Sequence, residues 1–237
     1  MDIRKGSRSA PTDAIGAVSA LDDPSRRRMY EFIRSAHRPV SREQAAESIG
    51  ISRKLAAFHL DKLVQVGLLI SHYDRDSRVH SVGRSPKVYE PAPSDFAVSV
   101  PHREPALLAE LLLEAVSTSR ESETARDSAI RVAGDRGRQL GTVAAGAAAG
   151  RRLSAERAMT FTTAALAEHG YEPSQERGGC LRLRSCPFHP LAERNPDVVC
   201  AMNHAFLAGF LTGLGRSPLQ AVLDPHPGEC CVQIRSA

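Results

Sequence analysis

The sequence of 237 residues predicts an α+β protein made of a helical region with a small sheet, a linker with further helices, and a second small α+β region. Three observations support this fold class. Apolar residues recur at helical spacing in several segments that carry capping residues at their ends. Short apolar segments bounded by Gly, Pro or charged residues predict strands. A proline-rich stretch between residues 91 and 105 separates the two regions.

The first region is predicted to begin with two helices joined by a short connection. Asp23 or Asp22 before Pro24 predicts a helix start, because Pro is well tolerated in the first helical turn. Ser41 and Gln44 have the spacing of a capping box, which predicts a second, shorter helix. Both helices have apolar residues at helical spacing and polar residues between them.

A third helix is predicted from Ser52, as the N-cap, to Gly67. From the helical spacing, we expect its apolar face to consist of Leu55, either Phe58 or His59, Leu63 and Val66. Two short apolar segments, 68–70 and 88–89, then predict two strands joined by a basic turn.

Three helices followed by a two-stranded wing predict a winged helix-turn-helix domain over residues 14–92, after a disordered tail at residues 1–13. The charge distribution points to a polyanionic partner. Residues 1–90 contain 16 Lys or Arg and 11 Asp or Glu, a net charge of +5, whereas residues 91–237 contain 15 and 16, a net charge of −1. We therefore expect the first region to bind double-stranded DNA at an operator.

In a helix-turn-helix, the second helix of the pair lies in the major groove and presents its first residues to base edges. Arg and Lys pair with guanine edges or phosphates, and the wing reaches phosphates or the minor groove. His59, in the middle of the helix, is expected to pack or to lie in a second row. The candidate DNA-binding residues are Ser52, Arg53, Lys54, Ala57, His59, Lys62, Arg75, Arg78, Arg84 and Lys87.

Two sequence stretches carry a family resemblance. LDDPSRRRMYEFIRSAHRPVSREQAAESIGISRKLAAFHLDKLVQVGLL resembles the winged-helix regulators of the ArsR-type superfamily. GRSPKVYEPA resembles the end of the wing in their SufR-like subgroup. The resemblance implies a winged-helix fold, binding to a DNA operator and, for that subgroup, the role of a transcriptional repressor.

Residues 93–152 are predicted to form a linker followed by dimerisation helices. Four prolines lie at its start or just before it, and the segment ALLAELLLEAVS is a strongly apolar helix. An apolar helix face outside the winged-helix domain is typical of a dimer contact, so we expect a homodimer.

Residues 153–237 are predicted to form a small α+β sensor domain that holds all five cysteines. Cys186 and His189 share a turn, and Cys200 has His204 on the same helix face. Thiolate and imidazole ligands suit zinc or an iron–sulfur cluster. The candidate metal ligands are Cys186, Cys200, Cys230, Cys231 and His189. Cys180 is as well explained as a small buried hydrophobe.

The adjacent pair Cys230 and Cys231 leaves the ligand set open. If the segment CCVQI is a strand, the two side chains point to opposite faces, so one of them is a ligand and the other is not. The run from CPFHPLAERNPDVVC to GECCVQI also resembles the C-terminal signature of the SufR-like regulators, which implies an iron–sulfur cluster. Its layout further resembles small-ligand domains of the 4-vinyl-reductase type, which extends the signals to an organic effector.

Together these features predict a DNA-binding transcriptional regulator whose cysteine site binds a metal or an iron–sulfur cluster and modulates operator binding. The alternative is a regulator with a structural zinc site and a separate small-molecule effector. Cys186 near His189 is weak evidence for a nucleophile and its base, so no enzyme activity is expected. No apolar stretch is long enough for a bilayer and no secretory signal is evident, so we expect a cytoplasmic protein without a membrane partner.

Overall fold

The computed structural model describes residues 11–73, 85–146, 154–176, 178–215 and 218–236. The chain divides into two compact units, Met1–Val98 and Ser99–Ala237. Each unit has its own hydrophobic core and its own antiparallel sheet. The mixed α+β class predicted from the sequence is confirmed.

The described residues of the first unit form four helices and three short strands. In chain order they are α1 Pro11–Ala20, α2 Pro24–Ala36, β1 Val40–Ser41, α3 Arg42–Ile49, α4 Arg53–Gln65, β2 Leu69–Tyr73 and β3 Lys87–Pro91. Helix α1 begins within the segment 1–13 that was expected to be a disordered tail, and residues 1–10 lie outside the described residues.

The sheet of the first unit has the strand order β1-β3-β2, with antiparallel neighbours. Val40 pairs with Tyr89 and His72 pairs with Val88. Strand β1 precedes the helix pair α3 and α4, and β2 and β3 follow it as the two sides of the wing. This order of elements is that of a winged helix-turn-helix domain.

The helix boundaries of this unit follow from the caps predicted by the sequence. The Asp23 carboxylate accepts hydrogen bonds from the backbone N–H groups of Ser25 and Arg26 at 2.9 Å, and α2 begins at Pro24. Ser41 and Gln44 form the expected capping box at the start of α3. These polar groups satisfy N–H donors that the helix itself leaves free.

The expected apolar face of α4 is partly wrong. Its buried residues are Ala56, His59, Leu60 and Leu63, whereas Leu55 and Phe58 are exposed. The face is rotated from the expected one because the small Ala56, together with Leu60, packs into the core against Met29 and Ile33 of α2. Leu63 is buried as expected.

In the second unit, the part of the chain that the structure describes forms five helices and a four-stranded sheet. Its elements are α5 Pro105–Ser117, α6 Ala125–Ala145, α7 Ala155–Glu168, β4 Pro173–Glu176, β5 Cys180–Leu183, α8 Leu191–Arg194, α9 Pro196–Gly213, β6 Leu219–Leu223 and β7 Val232–Ser236. The antiparallel strands have the order β4-β5-β7-β6. Strand β4 pairs with β5, and β6 pairs with β7.

Helices α5 and α6 belong to the core of this second unit and do not form a separate segment over residues 93–152. Their apolar side chains Leu107, Leu111 and Val132 share one core with Phe206 of α9. The division of the chain therefore lies between Val98 and Ser99. One side of α5, the apolar helix that was expected to form a dimer contact, packs in this core.

Helices α6 and α9 approach each other through glycines. A Cβ atom added to Gly137 would lie 1.9 Å from the carbonyl oxygen of Phe206, and one added to Gly213 would lie 2.1 Å from that of Arg138. Backbones at this distance have no room for any side chain. This contact fixes α9, the helix that carries Cys200.

Within the described residues, no helix has both the length and the apolar character needed to cross a membrane.

Candidate functional site

The N-terminal end of α4 carries four of the ten predicted DNA-contacting residues. The Ser52 hydroxyl caps the helix by accepting a hydrogen bond of 3.2 Å from the Leu55 backbone N–H. Arg53 and Lys54, in the first turn, are exposed, and Ala57 is half-buried on the edge of the same surface. The structure therefore brings these four predicted residues onto one end of one helix.

Two further lysines lie near the other end of α4. Lys62 Nζ donates a hydrogen bond of 3.2 Å to Gln65 Oε1 on the same helix. Lys87, on β3, lies 3.3 Å from the Asp61 carboxylate and 5.3 Å from the centre of the Tyr89 ring. Partial burial disfavours the charged form of Lys87, but Tyr89 and Asp61 outweigh this and raise its pKa. Lys87 thereby neutralises Asp61, the acidic residue on this helix surface.

His59 lies inside the domain and not on the exposed surface of α4. Its side chain is only 6% exposed, and its ring contacts the Phe58 ring edge-on at a centroid distance of 5.6 Å. Its Nδ1 atom has no hydrogen-bond partner among the described residues. The structure thus gives His59 a packing position next to Phe58.

The wing residues Arg75, Arg78 and Arg84 lie outside the described residues. The two strands that bound the wing are described, and they pair from Leu69 with Pro91 to Tyr73 with Lys87.

Leu55 and Phe58 are exposed residues of α4 that the sequence analysis did not assign to the DNA surface. Leu55 is 44% exposed and Phe58 is 63% exposed. The sequence contains a signal for the exposure of Phe58. If Ala56, Leu60 and Leu63 form the buried side at spacings of four and three residues, Phe58 must lie on the opposite side.

Four of the five cysteines meet in the second unit, and we call Cys186, Cys200, Cys230 and Cys231 the thiol cluster. Cys186 lies in the turn after β5, Cys200 lies near the start of α9, and the adjacent pair directly precedes β7. Because β7 begins at Val232, strand alternation does not separate Cys230 from Cys231, and both are buried. This differs from the expected division of the pair between two faces.

Hydrogen bonds among the thiols set their acidities. Hydrogen bonding from Cys230, with help from Cys200 and Asn203, lowers the pKa of Cys231 to about 6, although burial opposes this. Cys230 also lowers the pKa of Cys186. Burial and the hydrogen bond to Cys231 raise the pKa of Cys200 to about 12. The pKa of Cys230 is raised well above its usual value because it acts as the hydrogen-bond donor to Cys186 and Cys231. Cys200 and Cys230 are therefore the hydrogen-bond donors that keep their protons, and Cys186 and Cys231 are the acceptors that form thiolates more readily.

Asn203 of α9 supports the cluster and was not identified from the sequence. Its side-chain amide donates a hydrogen bond of 3.1 Å to Cys230 Sγ and accepts one of 2.6 Å from the Tyr171 hydroxyl. Asn203 and Tyr171 are both buried. An Asn within the apolar run MNHAFLAGF, three residues after Cys200, is the signal that could have identified it, because buried amides require partners.

No group of three or more Cys, His, Asp or Glu side chains that could hold a metal ion is present in the part of the chain that the structure describes. The donor types suit zinc or an iron–sulfur cluster. The four thiols, however, hydrogen-bond to one another and are not arranged as a ligand set. Binding of either group would therefore require the hydrogen bonds between the thiols to be replaced.

The remaining candidate ligand, His189, and the nearby His204 and Cys180 have other neighbours. The His189 ring is 42% exposed and lies 3.7 Å from the Glu193 carboxylate, although its backbone N–H closes the expected turn to the Cys186 carbonyl at 3.1 Å. A ring nitrogen of His204 lies 3.1 Å from the Ala221 carbonyl oxygen. The Cys180 thiol donates to Gln233 Oε1 at 2.9 Å within the sheet.

The turn that carries Cys186 also holds the segment that leads into α5. The Arg103 guanidinium donates a hydrogen bond to the Ser185 hydroxyl, and the Glu104 backbone N–H donates one of 2.8 Å to the Pro187 carbonyl. Arg103 is also one of the causes that lower the pKa of Cys186. The residues on both sides of Cys186 are therefore bound to the two residues that precede Pro105.

Comparison with known proteins gives one family match. A family model described as a helix-turn-helix domain matches residues 21–72, which contain α2, α3, α4 and most of β2. No curated protein matches the chain. The matched segment contains the exposed N-terminal turn of α4, and it supports a winged-helix, DNA-binding transcriptional regulator.

Proposed function

We propose that this chain is a homodimeric transcriptional repressor that reads an operator through α4 and is regulated through its thiol cluster. The observation that carries the DNA-binding part is the exposed first turn of α4, where Arg53 and Lys54 stand beside the Ser52 cap. Two cations at the start of a recognition helix can reach guanine edges and phosphates in the major groove. The role is regulatory and not enzymatic.

The other predicted DNA-binding residues take supporting roles in this proposal. Lys62 and the wing residues Arg75, Arg78 and Arg84 contact phosphates, which position the domain without reading sequence. Lys87 holds Asp61 and so reduces repulsion between that carboxylate and the DNA backbone. Ala57 leaves room for close approach, and His59 supports the helix from inside the domain.

The regulatory part of the proposal assigns a zinc ion or an iron–sulfur cluster to Cys186, Cys200 and one or both of Cys230 and Cys231. What supports it is the meeting of four thiols from three separate segments, three of them buried and Cys200 partly exposed. The pKa values of Cys186 and Cys231 are lowered, which favours their thiolate forms. Binding would have to replace the hydrogen bonds between the thiols. His189 is a further proposed ligand at the edge of the same turn.

The turn around Cys186 is well placed to pass a change in the cluster to the rest of the chain. Ser185 and Pro187 hold Arg103 and Glu104 by hydrogen bonds, and α5 begins with the next residue. A shift of this turn would move the start of α5 directly. We propose that this movement alters the spacing of two DNA-binding domains in a dimer and thus changes operator affinity.

The proposed dimer contact is the outer side of α5. Leu113 is 70% exposed and Val116 is 77% exposed, and Leu112 lies beside them. Charged substitutions here, Leu113→Lys with Val116→Lys, should shift the mass in sedimentation from dimer to monomer. A wild-type chain that sediments as a monomer would contradict this part of the proposal.

Metal content and operator affinity test the regulatory part together. The chain is purified without oxygen, its visible absorption and metal content are measured, and operator duplexes are selected from a randomised pool. Operator affinity is then compared for the protein as purified, after chelation, and for Cys186→Ser and Cys200→Ser, with Cys180→Ser as the matched control outside the cluster. A cluster gives a coloured product, and zinc gives a colourless one.

The proposal expects chelation and the two cluster substitutions to change operator affinity while Cys180→Ser leaves it unchanged. Equal affinity in every case would exclude regulation through the cluster. If chelation of zinc unfolds the second unit instead, the site is structural and the effector must bind elsewhere. Repression is tested separately, by transcription in vitro from a promoter that contains the selected operator, which the added chain should reduce.

A further inference from the structure

The exposed side of α4 contains an apolar pair that the DNA-binding proposal does not yet use. Leu55 and Phe58 are three residues apart and therefore neighbours on the helix surface. Phe58 is the most exposed large apolar side chain in this helix, and it lies opposite the buried Ala56, Leu60 and Leu63. Lys54 is one turn before Phe58 on the same side.

The charges around Leu55 and Phe58 indicate which kind of partner binds at this surface. Lys54 and Lys62, four residues before and after Phe58, place positive charge on both sides of it, and Arg53 adds a cation at the start of the helix. The acidic Asp61 is held by Lys87 at 3.3 Å. A basic helix face complements a polyanion and disfavours an apolar protein partner. The same segment lies within the matched helix-turn-helix domain, whose second helix enters the major groove. The occupant that these observations favour is duplex DNA.

The Phe58 ring has an aromatic neighbour within the domain. The buried His59 contacts it edge-on at 5.6 Å, a favourable arrangement for an aromatic pair. An exposed aromatic ring on the groove-facing side of a recognition helix can contact an apolar group on a base edge.

We propose that Phe58, flanked by Leu55, contacts the 5-methyl group of a thymine in the major groove and specifies that base. The thymine methyl is the apolar group on the major-groove edges of base pairs, and Phe is one of the side chains that contact it. Lys54, one turn earlier, reads or positions the adjacent nucleotide. This inference rests on the proposed DNA-binding function and adds a specificity determinant to it.

Replacement of thymine by uracil tests the contact, because it removes the methyl group and leaves base pairing intact. Duplexes bound by the full chain are selected from a randomised pool, and each thymine of the selected site is replaced singly by uracil. At one position per half-site, uracil should weaken wild-type binding about fourfold, the effect of burying one methyl group. Phe58→Ala should bind thymine and uracil duplexes equally at that position.

Phe58→Gln provides a second test, because an amide pairs with adenine and not with a methyl group. Selection with this variant should replace the specified thymine by adenine at the same position. Val143→Ala, an exposed apolar substitution in the other unit, is the control and should select the wild-type site. Thermal unfolding of each variant checks that the domain remains folded.

The possible failures can be distinguished. If the wild-type chain retains no duplex from the pool, the DNA-binding function itself fails, and the contact fails with it. If it binds DNA but uracil has no effect at any position, or if Phe58→Ala responds to uracil as the wild type does, only the Phe58 contact is overturned. A loss of dimer mass in Phe58→Ala would assign the ring to a protein interface and also overturn the proposal.

Discussion

Asn203 Nδ2 donates a hydrogen bond of 3.1 Å to Cys230 Sγ, and this bond ties the middle of α9 to the loop before β7. The other end of the same amide accepts the Tyr171 hydroxyl at 2.6 Å. Both partners of the amide are buried, so each hydrogen bond replaces one that water would otherwise provide. Asn203 thus helps to fix the position of Cys230 within the thiol cluster.

Replacement of Asn203 by Leu is predicted to destabilise the second unit and to raise the pKa of Cys231. The buried Tyr171 hydroxyl would lose its acceptor, which costs about 1–3 kcal/mol of unfolding free energy. Cys231 would lose one of the hydrogen bonds that hold its pKa at about 6. Urea unfolding measures the first effect, and the ultraviolet absorbance of the thiolate against pH measures the second.

The double variant Tyr171→Phe with Asn203→Leu is the matched control for this prediction. It removes the hydroxyl as well as its acceptor, so it should recover part of the stability lost in Asn203→Leu. If the double variant is less stable than Asn203→Leu by the full effect of Tyr171→Phe alone, the two side chains act independently and the assigned network is incorrect.

The stability of the metal-free protein is predicted to rise from pH 6 to pH 9 because of Cys231. Its pKa of about 6 in the folded protein is below the ordinary value of 9.0, so the unfolded chain binds more protons in this window. This contribution is fully present above pH 9 and is lost as the pH falls through 6. Cys200 acts in the opposite direction, because its pKa of about 12 makes its contribution decline from pH 9 upward.

Urea unfolding at intervals between pH 6 and pH 9, with reductant and chelator present, measures this dependence. Cys231→Ser should flatten the rise, whereas Cys180→Ser, whose thiol lies in the sheet, should keep the wild-type slope. A rise of the same size in Cys231→Ser would assign the pH dependence to another group.

The fold of the first unit could be predicted from the sequence because its signals are local. Asp23, Ser41 and Ser52 each cap a helix through atoms no more than three residues away, and capping depends on little else. The orientation of α4 could not be predicted in the same way. Whether Phe58 or His59 faces the core depends on which side chains of α2 pack against α4, and the sequence of α4 alone does not contain that information.

The thiol cluster shows the same division between local and tertiary information. The separate positions of Cys186 and Cys200 could be read from the turn and the helix that carry them. The adjacency of Cys230 and Cys231 was misleading, because the pattern CCVQI predicts a strand from Cys230, whereas β7 begins two residues later, at Val232. Asn203 and Arg103 were missed because their roles arise from contacts across long stretches of sequence.

Gly137→Ala is predicted to destabilise the second unit strongly. The added methyl group would lie 1.9 Å from the Phe206 carbonyl oxygen, so α6 and α9 would have to separate. Overpacking of this kind typically costs about 1–3 kcal/mol or more, because backbone atoms cannot move aside as flexible side chains do. Thermal unfolding of the full chain measures the effect.

Gly134→Ala on the same helix is the matched control. A methyl group there would meet Ala205 at 3.5 Å, an ordinary contact distance. Because Ala favours the helix by about 1 kcal/mol over Gly, this variant should be as stable as the wild type or more stable. Equal melting temperatures for Gly137→Ala and the wild type would mean that the two helices are not in backbone contact.

Lys54→Ala is predicted to weaken DNA binding and to reduce its dependence on salt. A lysine that contacts a phosphate releases about one counterion, so its loss should lower the slope of log K against log salt concentration by about 1. Arg157→Ala removes an exposed cation from the second unit and should leave both affinity and slope unchanged. Fluorescence anisotropy with a selected duplex at several salt concentrations gives both quantities.

If Lys54→Ala weakens binding to the selected site but keeps the wild-type slope, Lys54 reads a base edge and not a phosphate. If neither quantity changes, the first turn of α4 does not face the DNA.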